Sequence, residues 1–304
     1  MSRTFAAVIM AAGKSTRMKS ALPKAAHLIC GKPITRHVID ACREAGITDV
    51  VVVIGHEAEK VKAALGDDVI YAYQNEQLGT GHACQQAMPF IPKNVTDILV
   101  LPGDTPLITA ESLTRLAKAH ESQENTATLL TAILDDASHY GRVIRDANTG
   151  MVLKIVEAKD ADQETLAIRE INTSIYCFDR LVLEEKLLLL RADNAQREYY
   201  LTDVIELLNE SGHRIGAIVA DNAADTLGIN NRIELAQAAA IMRSRILNKL
   251  MLSGVTIVDP ATTYIDCDVE IGPDTVIYPC TVIERGTKVD GGQSIGPFVK
   301  LRSE

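Results

Sequence analysis

The sequence predicts an α/β fold with a mainly parallel sheet covered on both faces, followed by a short left-handed parallel β-helix. Two observations carry this reading. From residue 5 to about 225, short apolar runs rich in β-formers alternate with amphipathic stretches, the pattern of strands joined by crossover helices. Later, Ile265, Ile271, Ile277, Ile283, Val289, Ile295 and Leu301 recur at a strict spacing of six. Helices repeat near 3.6 residues and strands near 2, so a period of six marks stacked hexapeptide coils.

Taken in order, Phe5–Met10 is a continuous apolar run and reads as a buried first strand. Further strands are predicted at Val50–Ile54, Ile98–Leu101, Thr128–Ile133, Val152–Val156, Ser174–Phe178 and Arg214–Val219. Between them, helices are predicted at Pro33–Ala45, Glu57–Leu65, Thr80–Met88, Ala110–His120 and Tyr200–Ser211. In such sheets ligands bind beyond the C-terminal strand ends. The strands ending at Met10 and Leu101 are both followed by polar loops, so two loops are expected to face one site. Asn231–Met251 reads as a connecting helix with Ile233, Ala236, Ala240 and Leu247 on one face, ended by Ser253-Gly254. Small or branched residues follow most hexad positions by four (Val269, Thr275, Thr281, Thr287, Val299). Each coil uses three hexads, so this segment makes little more than two coils. The predicted division is residues 1–230, a connecting helix at 231–252, and the β-helix at 253–304.

Composition narrows the class. The 304 residues are 47% hydrophobic and 23% charged, as in an ordinary globular protein with ample core. A net charge of −9 argues against a general nucleic-acid surface. No apolar run approaches membrane-span length, so neither nucleic acid nor membrane is expected as a partner. The first apolar run leads directly into KSTRMK and reads as a strand, not a signal peptide. The six cysteines include no C-x-x-C pair and sit in apolar contexts, which suggests reduced core thiols and a cytoplasmic setting. The histidines show no zinc-ligand spacing.

The chemistry is expected first at residues 11–24, AAGKSTRMKSALPK, which place a glycine and four cations in fourteen positions after a strand. Exposed backbone N–H groups in such a turn suit phosphate oxygens, and cations at several spacings suit a triphosphate. The stretch lacks both the Walker A spacing and G-x-G-x-x-G. In PGDTPL, Asp104 reads either as a turn or helix-cap residue or, with Gly103 leaving room for a ligand, as a holder of Mg²⁺. Gln74–His82 is a polar turn into a helix. Its amides suit a nucleobase edge, and the alternative is a simple cap with Thr80 as the capping group. Polar clusters at Glu170–Thr173 and Gly228–Asn231 stand at predicted element ends.

Together these strings resemble the N-acetylglucosamine-1-phosphate uridylyltransferase family of sugar-nucleotide pyrophosphorylases. AAGKSTRMKSALPK, GKPI, QLGTGHA, PGDTPL, YGRV, IVEAKDA, EINTSIY, NAQREYYLTD and GINNR occur in family order across residues 11–232. The hexads, including IGPFVKLR, are similar to the start of the family's acetyltransferase β-helix. The resemblance implies a Rossmann-like nucleotidyltransferase domain using Mg²⁺, UTP and N-acetylglucosamine 1-phosphate to make UDP-N-acetylglucosamine for cell-wall synthesis. It implies that Ala11, Ala12 and Gly13 cradle the nucleotide, and that Gln74, Gly79 and Thr80 read the uracil. Arg17 and Lys24 would neutralise phosphates, with Lys14 and Lys19 as weaker candidates. Asp104 and Asn230 would hold the metal, and Gly141, Glu157, Asn172 and Asn230 would position the sugar.

The family trimerises through its β-helix; with so few coils, a trimer and a monomer are both open for this chain. The family's acetyl-transfer residues lie beyond Glu304, so acetyltransferase activity is not expected from this polypeptide. Two alternatives stay open: a uridylyltransferase for another sugar 1-phosphate, and a non-catalytic nucleotide-binding paralogue. Two positions depart from the family pattern. Ser15 stands where glycine is common, and Arg197 replaces a small or amide residue.

Overall fold

A computed structural model describes residues 3–137 and 139–302. The N-terminal part is a nine-stranded mixed sheet. Its strands are β1 (Phe5–Met10), β4 (Asp49–Ile54), β5 (Ile70–Tyr73), β6 (Asp97–Pro102), β7 (Ala127–Ile133), β8 (Arg142–Arg145), β9 (Val152–Val156), β10 (Glu170–Asp179) and β11 (Ile215–Val219). A small hairpin of β2 (Leu28–Ile29) and β3 (Lys32–Pro33) stands apart from it. The main order is β11-β7-β10-β6-β1-β4-β5, with β8 attached to β10 and β9 to β8.

β1 lies in the middle, parallel to both β4 and β6, and Ala6 to Ile9 are fully buried. Ala6 and Val8 join the core on one face while Ala7 and Ile9 join the other. That double burial is why the strand reads as an unbroken apolar run rather than an alternating one. One face is covered by α3 (Thr80–Ala87), α6 (Arg180–Leu187) and α7 (Asp203–Glu210). The other is covered by α1 (Ile34–Glu44), α2 (Ala58–Leu65) and α4 (Ala110–Ser122). The short α5 (Gln163–Leu166) begins at an Asp162 side-chain cap.

β10 runs antiparallel between β6 and β7, and the β8–β10 and β8–β9 pairings are antiparallel too, so the sheet is mainly but not wholly parallel. The direction of β10 brings Glu170–Ser174 to the rim where β1, β4 and β6 end. The polar EINT cluster therefore forms the first residues of β10, at an element end as the sequence suggested. A register shift between Asn172 and Ile175 puts Ser174 at φ 60° and turns the strand locally.

α8 (Arg232–Leu252) links the sheet to the coils. The predicted face is wrong in detail: Ile233 is 71% exposed, and Ala236 and Ala240 are also exposed. Instead Ala238, with Leu235, Ala239 and Met242 beside it, packs on Met18, Ile29, Ile34, Leu107 and Ile229. The second half turns Leu247 and Leu250 onto the coil interior. The helix serves two cores in succession, which a single amphipathic stripe cannot describe.

The coil strands are β12 (Thr256–Ile257), β13 (Tyr264–Ile265), β14 (Glu270–Ile271), β15 (Val276–Ile277), β16 (Val282–Ile283), β17 (Lys288–Val289), β18 (Ser294–Ile295) and β19 (Lys300–Leu301). They form three parallel ladders, β12-β15-β18, β13-β16-β19 and β14-β17. Ile265, Ile277 and Ile283 stack inside while Thr275 and Thr281 fill the buried corners. The thiols are all free, but only some are core: Cys42, Cys84 and Cys177 are fully buried, whereas Cys280 is exposed.

Candidate active site

The loops after β1, β5 and β6 enclose a cleft of about 490 Å³ on one rim. It is lined by Ala12, Gly13, Lys24, Gln74, Gly79, Thr80 and Asp104 among the predicted residues. Ala11 does not line it. Its N–H donates to Val53 O (2.8 Å), continuing the sheet, and its methyl group lies under Gly103. A Cβ on Gly103 would stand 3.0 Å from both that methyl and Met10 O. Glycine there lets the loop carrying Asp104 close down on the end of β1.

The charged corner of the cleft is built from four charged or amide side chains. The Lys24 Nζ donates to Asp104 Oδ2 in a short ion pair and reaches Asn230 Oδ1 at 3.5 Å. Arg17 donates to the same Asn230 oxygen at 2.8 Å. Lys24 opens a one-turn 3₁₀ helix that immediately precedes the β2–β3 hairpin. Ile229 N–H donates to Asp104 O (2.9 Å), and Gly228 packs against the Asp104 carboxylate. The Gly228 N–H in turn donates to Tyr140 Oη at 3.3 Å. Asp104 is thus neither a helix cap nor an Asx turn. Lys14 lines the cleft, while Lys19 is exposed outside its lining.

The opposite wall is a pair of clamped segments. The Gly79 φ is 113°, and a Cβ there would lie 2.6 Å from Tyr199 O. Gly81 N–H donates to Tyr199 O and Tyr199 N–H to Leu78 O, both at 2.8 Å. The Thr80 hydroxyl accepts from Leu201 N–H (3.0 Å) and does not cap α3. Its oxygen ties NAQREYYLTD to QLGTGHA. Gln74 is buried, with Nε2 donating to Gly79 O (3.0 Å) and meeting His82 Nδ1 at 3.1 Å.

Beyond this wall Gly141, Glu157 and Asn172 come together. Asn172 N–H donates to Gly141 O (2.8 Å), and a Cβ on Gly141 would stand 3.4 Å from Glu157 Oε2. Tyr176 Oη donates to Asn172 Oδ1 (3.0 Å), fixing the amide. Burial raises the Glu157 carboxyl above its ordinary range, with Asp203 and Asp160 adding to the shift, while Thr202 donates to it at 3.3 Å. Ser174 Oγ lies 3.4 Å from Asn172 Nδ2 and also lines the cleft, joining the two halves of the site. Ser174, Gln77 and Glu198 line the cleft and were missed as site residues. Each lay inside a quoted string, but nothing in its own chemistry separated it from neighbouring polar residues.

Asp104 Oδ2 and Asn230 Oδ1 converge on one cationic nitrogen, so this corner gathers hard oxygen ligands around a positive centre. That donor set fits a divalent cation. Among the described residues no group of three or more His, Cys, Asp or Glu side chains is arranged to hold a metal by itself. Among the described residues no helix is long and apolar enough to cross a membrane.

The profile of the MobA-like NTP transferase domain family matches residues 7–163. The chain is 52% identical over 296 residues to bifunctional protein GlmU of Geobacillus sp. (strain WCH70), covering 97% of this chain and 64% of that protein. It is 48% identical over 295 residues to its counterpart in Brevibacillus brevis, with the same coverage. It is 50% identical over 282 residues to that of Clostridium botulinum, covering 92% and 61%. The chain therefore spans a little under two thirds of the length of these relatives.

Proposed function

Because the chain belongs to the MobA-like NTP transferase family and is a homologue of bifunctional GlmU proteins, we propose that it transfers UMP from UTP to N-acetylglucosamine 1-phosphate. The products are UDP-N-acetylglucosamine, a cell-wall precursor, and pyrophosphate. The observation that carries the reading is the meeting of Arg17, Lys24, Asp104 and Asn230 at one end of a cleft walled by Gln74, Gly79 and Thr80. We assign residues 1–230 to this activity, 231–252 to a connecting helix and 253–304 to the start of a β-helix.

In this reaction an oxygen of the sugar phosphate forms a bond to the α-phosphorus while the bond to the β-bridging oxygen breaks. A phosphomonoester has a second pKa of about 6, so at neutral pH it is already a dianion and needs no general base. The protein's work is alignment and charge stabilisation. Lys24 and Arg17 face charge growing on the pyrophosphate, and Gly13 and Ala12 admit the phosphates close to backbone. Glu157, Asn172 and Gly141 hold the sugar on the far side. Asp104 and Asn230 would hold a Mg²⁺ ion, which would supply further charge neutralisation at the phosphates.

The test is pyrophosphate release from UTP with Mg²⁺ and a panel of sugar 1-phosphates. N-acetylglucosamine 1-phosphate is expected to give the highest kcat/KM, and preference for another sugar would overturn the substrate assignment. Asp104→Ala is expected to reduce turnover to background. Near-normal release by that variant would remove Asp104 from the metal site.

A further inference from the structure

We propose that Glu234 is a positioning residue for the metal corner, holding Asn230 in place through its backbone. The proposal rests on the reading of Asn230 as a divalent-cation ligand. Asn230 lies in the turn before α8, outside any helix or strand, and its side-chain oxygen already receives Arg17 and Lys24. Its amide group has only a weak contact of its own, Nδ2 to Gly228 O at 3.5 Å. What fixes the residue is its backbone N–H, which donates to Glu234 Oε2 at 2.6 Å. Short bonds to a carboxylate are among the stronger hydrogen bonds in proteins.

The same carboxylate is held in turn. Its Oε1 accepts from Asn231 Nδ2 at 2.6 Å, and Asn231 Oδ1 caps α8 by accepting from Ile233 N–H (2.9 Å) and Glu234 N–H (3.0 Å). In an ordinary capping box the acidic residue at the third helical position reaches back to the N-cap backbone. Here it reaches one residue further, to the proposed metal ligand. The 21-residue α8 is seated on two hydrophobic cores, so Glu234 transmits that rigidity to Asn230. Supporting groups of this kind orient the ligands themselves, and their loss typically weakens metal affinity about ten- to a hundredfold.

The test titrates the full chain, in the presence of UTP, with Mn²⁺ followed by electron paramagnetic resonance, alongside thermal melting. Glu234→Ala is expected to weaken Mn²⁺ binding about ten- to a hundredfold and to raise the Mg²⁺ needed for half-maximal activity. Glu234→Asp keeps the helix-end charge but loses reach, and is expected to weaken binding as well. Glu234→Gln keeps one acceptor oxygen and is expected to restore affinity. Asn231→Ala removes the cap and one hold on the Glu234 carboxylate, so it should lower the melting temperature and weaken Mn²⁺ binding less than Glu234→Ala does. If Asn230→Ala weakens Mn²⁺ binding but Glu234→Ala and Glu234→Asp do not, the positioning role is overturned and the metal reading stands. If Asn230→Ala also leaves binding unchanged, the metal reading falls and this proposal with it.

Discussion

Ser15 shows how much one backbone angle decides. Its φ is 53° and ψ 37°, a left-handed conformation that costs an L-residue about 1–2 kcal/mol relative to glycine's free access. The hydroxyl gives some return by donating to Gly13 O at 3.2 Å. It is engaged with the turn's own backbone and not aimed away to a phosphate. Arg197 also has a positive φ, 54°, a backbone angle that glycine and asparagine adopt more readily than a long side chain does. Ser15→Gly relieves the strain but adds chain entropy in the unfolded state. The expected net is a gain of about 0.5–1 kcal/mol, seen as a higher melting temperature. A fall would mean that the Ser15–Gly13 bond outweighs the strain. The sequence raised the question of Ser15, but a dihedral angle cannot be read from a side chain.

Elements differ in how visibly they are written. β1 and β6 are buried on both faces, so their long apolar runs announced them. β5, with Ile70 and Tyr73 exposed at a sheet edge, carries no such run and went unseen. β8 escaped because RVIR mixes two arginines with two aliphatics, yet Arg142 is buried and donates to Ala137 O at 3.3 Å. α6 escaped because it follows β10 directly, with Asp179 capping it by accepting from Val182 N–H. The candidate site was legible where a string had chemistry of its own, as at Arg17, Lys24 and Asp104. Contacts made by geometry were not: Thr80 read as a cap or a uracil contact and not as the hydroxyl that clamps Leu201, and Glu234 was not singled out.

α7 carries a prediction about pH. Asp203, at its first turn, is pushed up to about 6 by burial and by the nearby Glu206 and Asp160 carboxylates. A carboxyl raised above its unfolded value binds more protons in the folded state, so its ionisation destabilises the fold as pH rises from about 4 to 6. Asp203→Asn is therefore expected to stabilise the chain at pH 8 by on the order of 1–2 kcal/mol after solvent screening, and to change little at pH 4. Melting curves at the two pH values check the sign. Equal shifts at both would rule out titration as the cause.

At the scale of the whole molecule, the β2–β3 hairpin joins the two architectures. Cys267 N–H donates to Cys30 O at 2.9 Å, and Lys32 pairs with Asp40 at 2.7 Å and with Asp268 at 3.2 Å. A Cβ on Gly31, at φ 76°, would lie 2.6 Å from Asp266 Oδ2. Gly31→Ala is expected to cost about 1–2 kcal/mol from the backbone angle alone, and to separate one cooperative melting transition into two. A single unshifted transition would show that the hairpin does not couple the parts. The sequence separated sheet from coils because their periods differ. It was silent on their contact, since GKPI and IDCD are far apart in the chain and neither is periodic.

That hairpin follows the Lys24 turn with only His27 between them. Its far end rests on the coil, so Lys24 and the Cys267 amide are two ends of one short lever. Any ligand that stiffens Lys24 should therefore slow solvent exchange at Cys267, making the coil a remote gauge of whether the cleft is occupied.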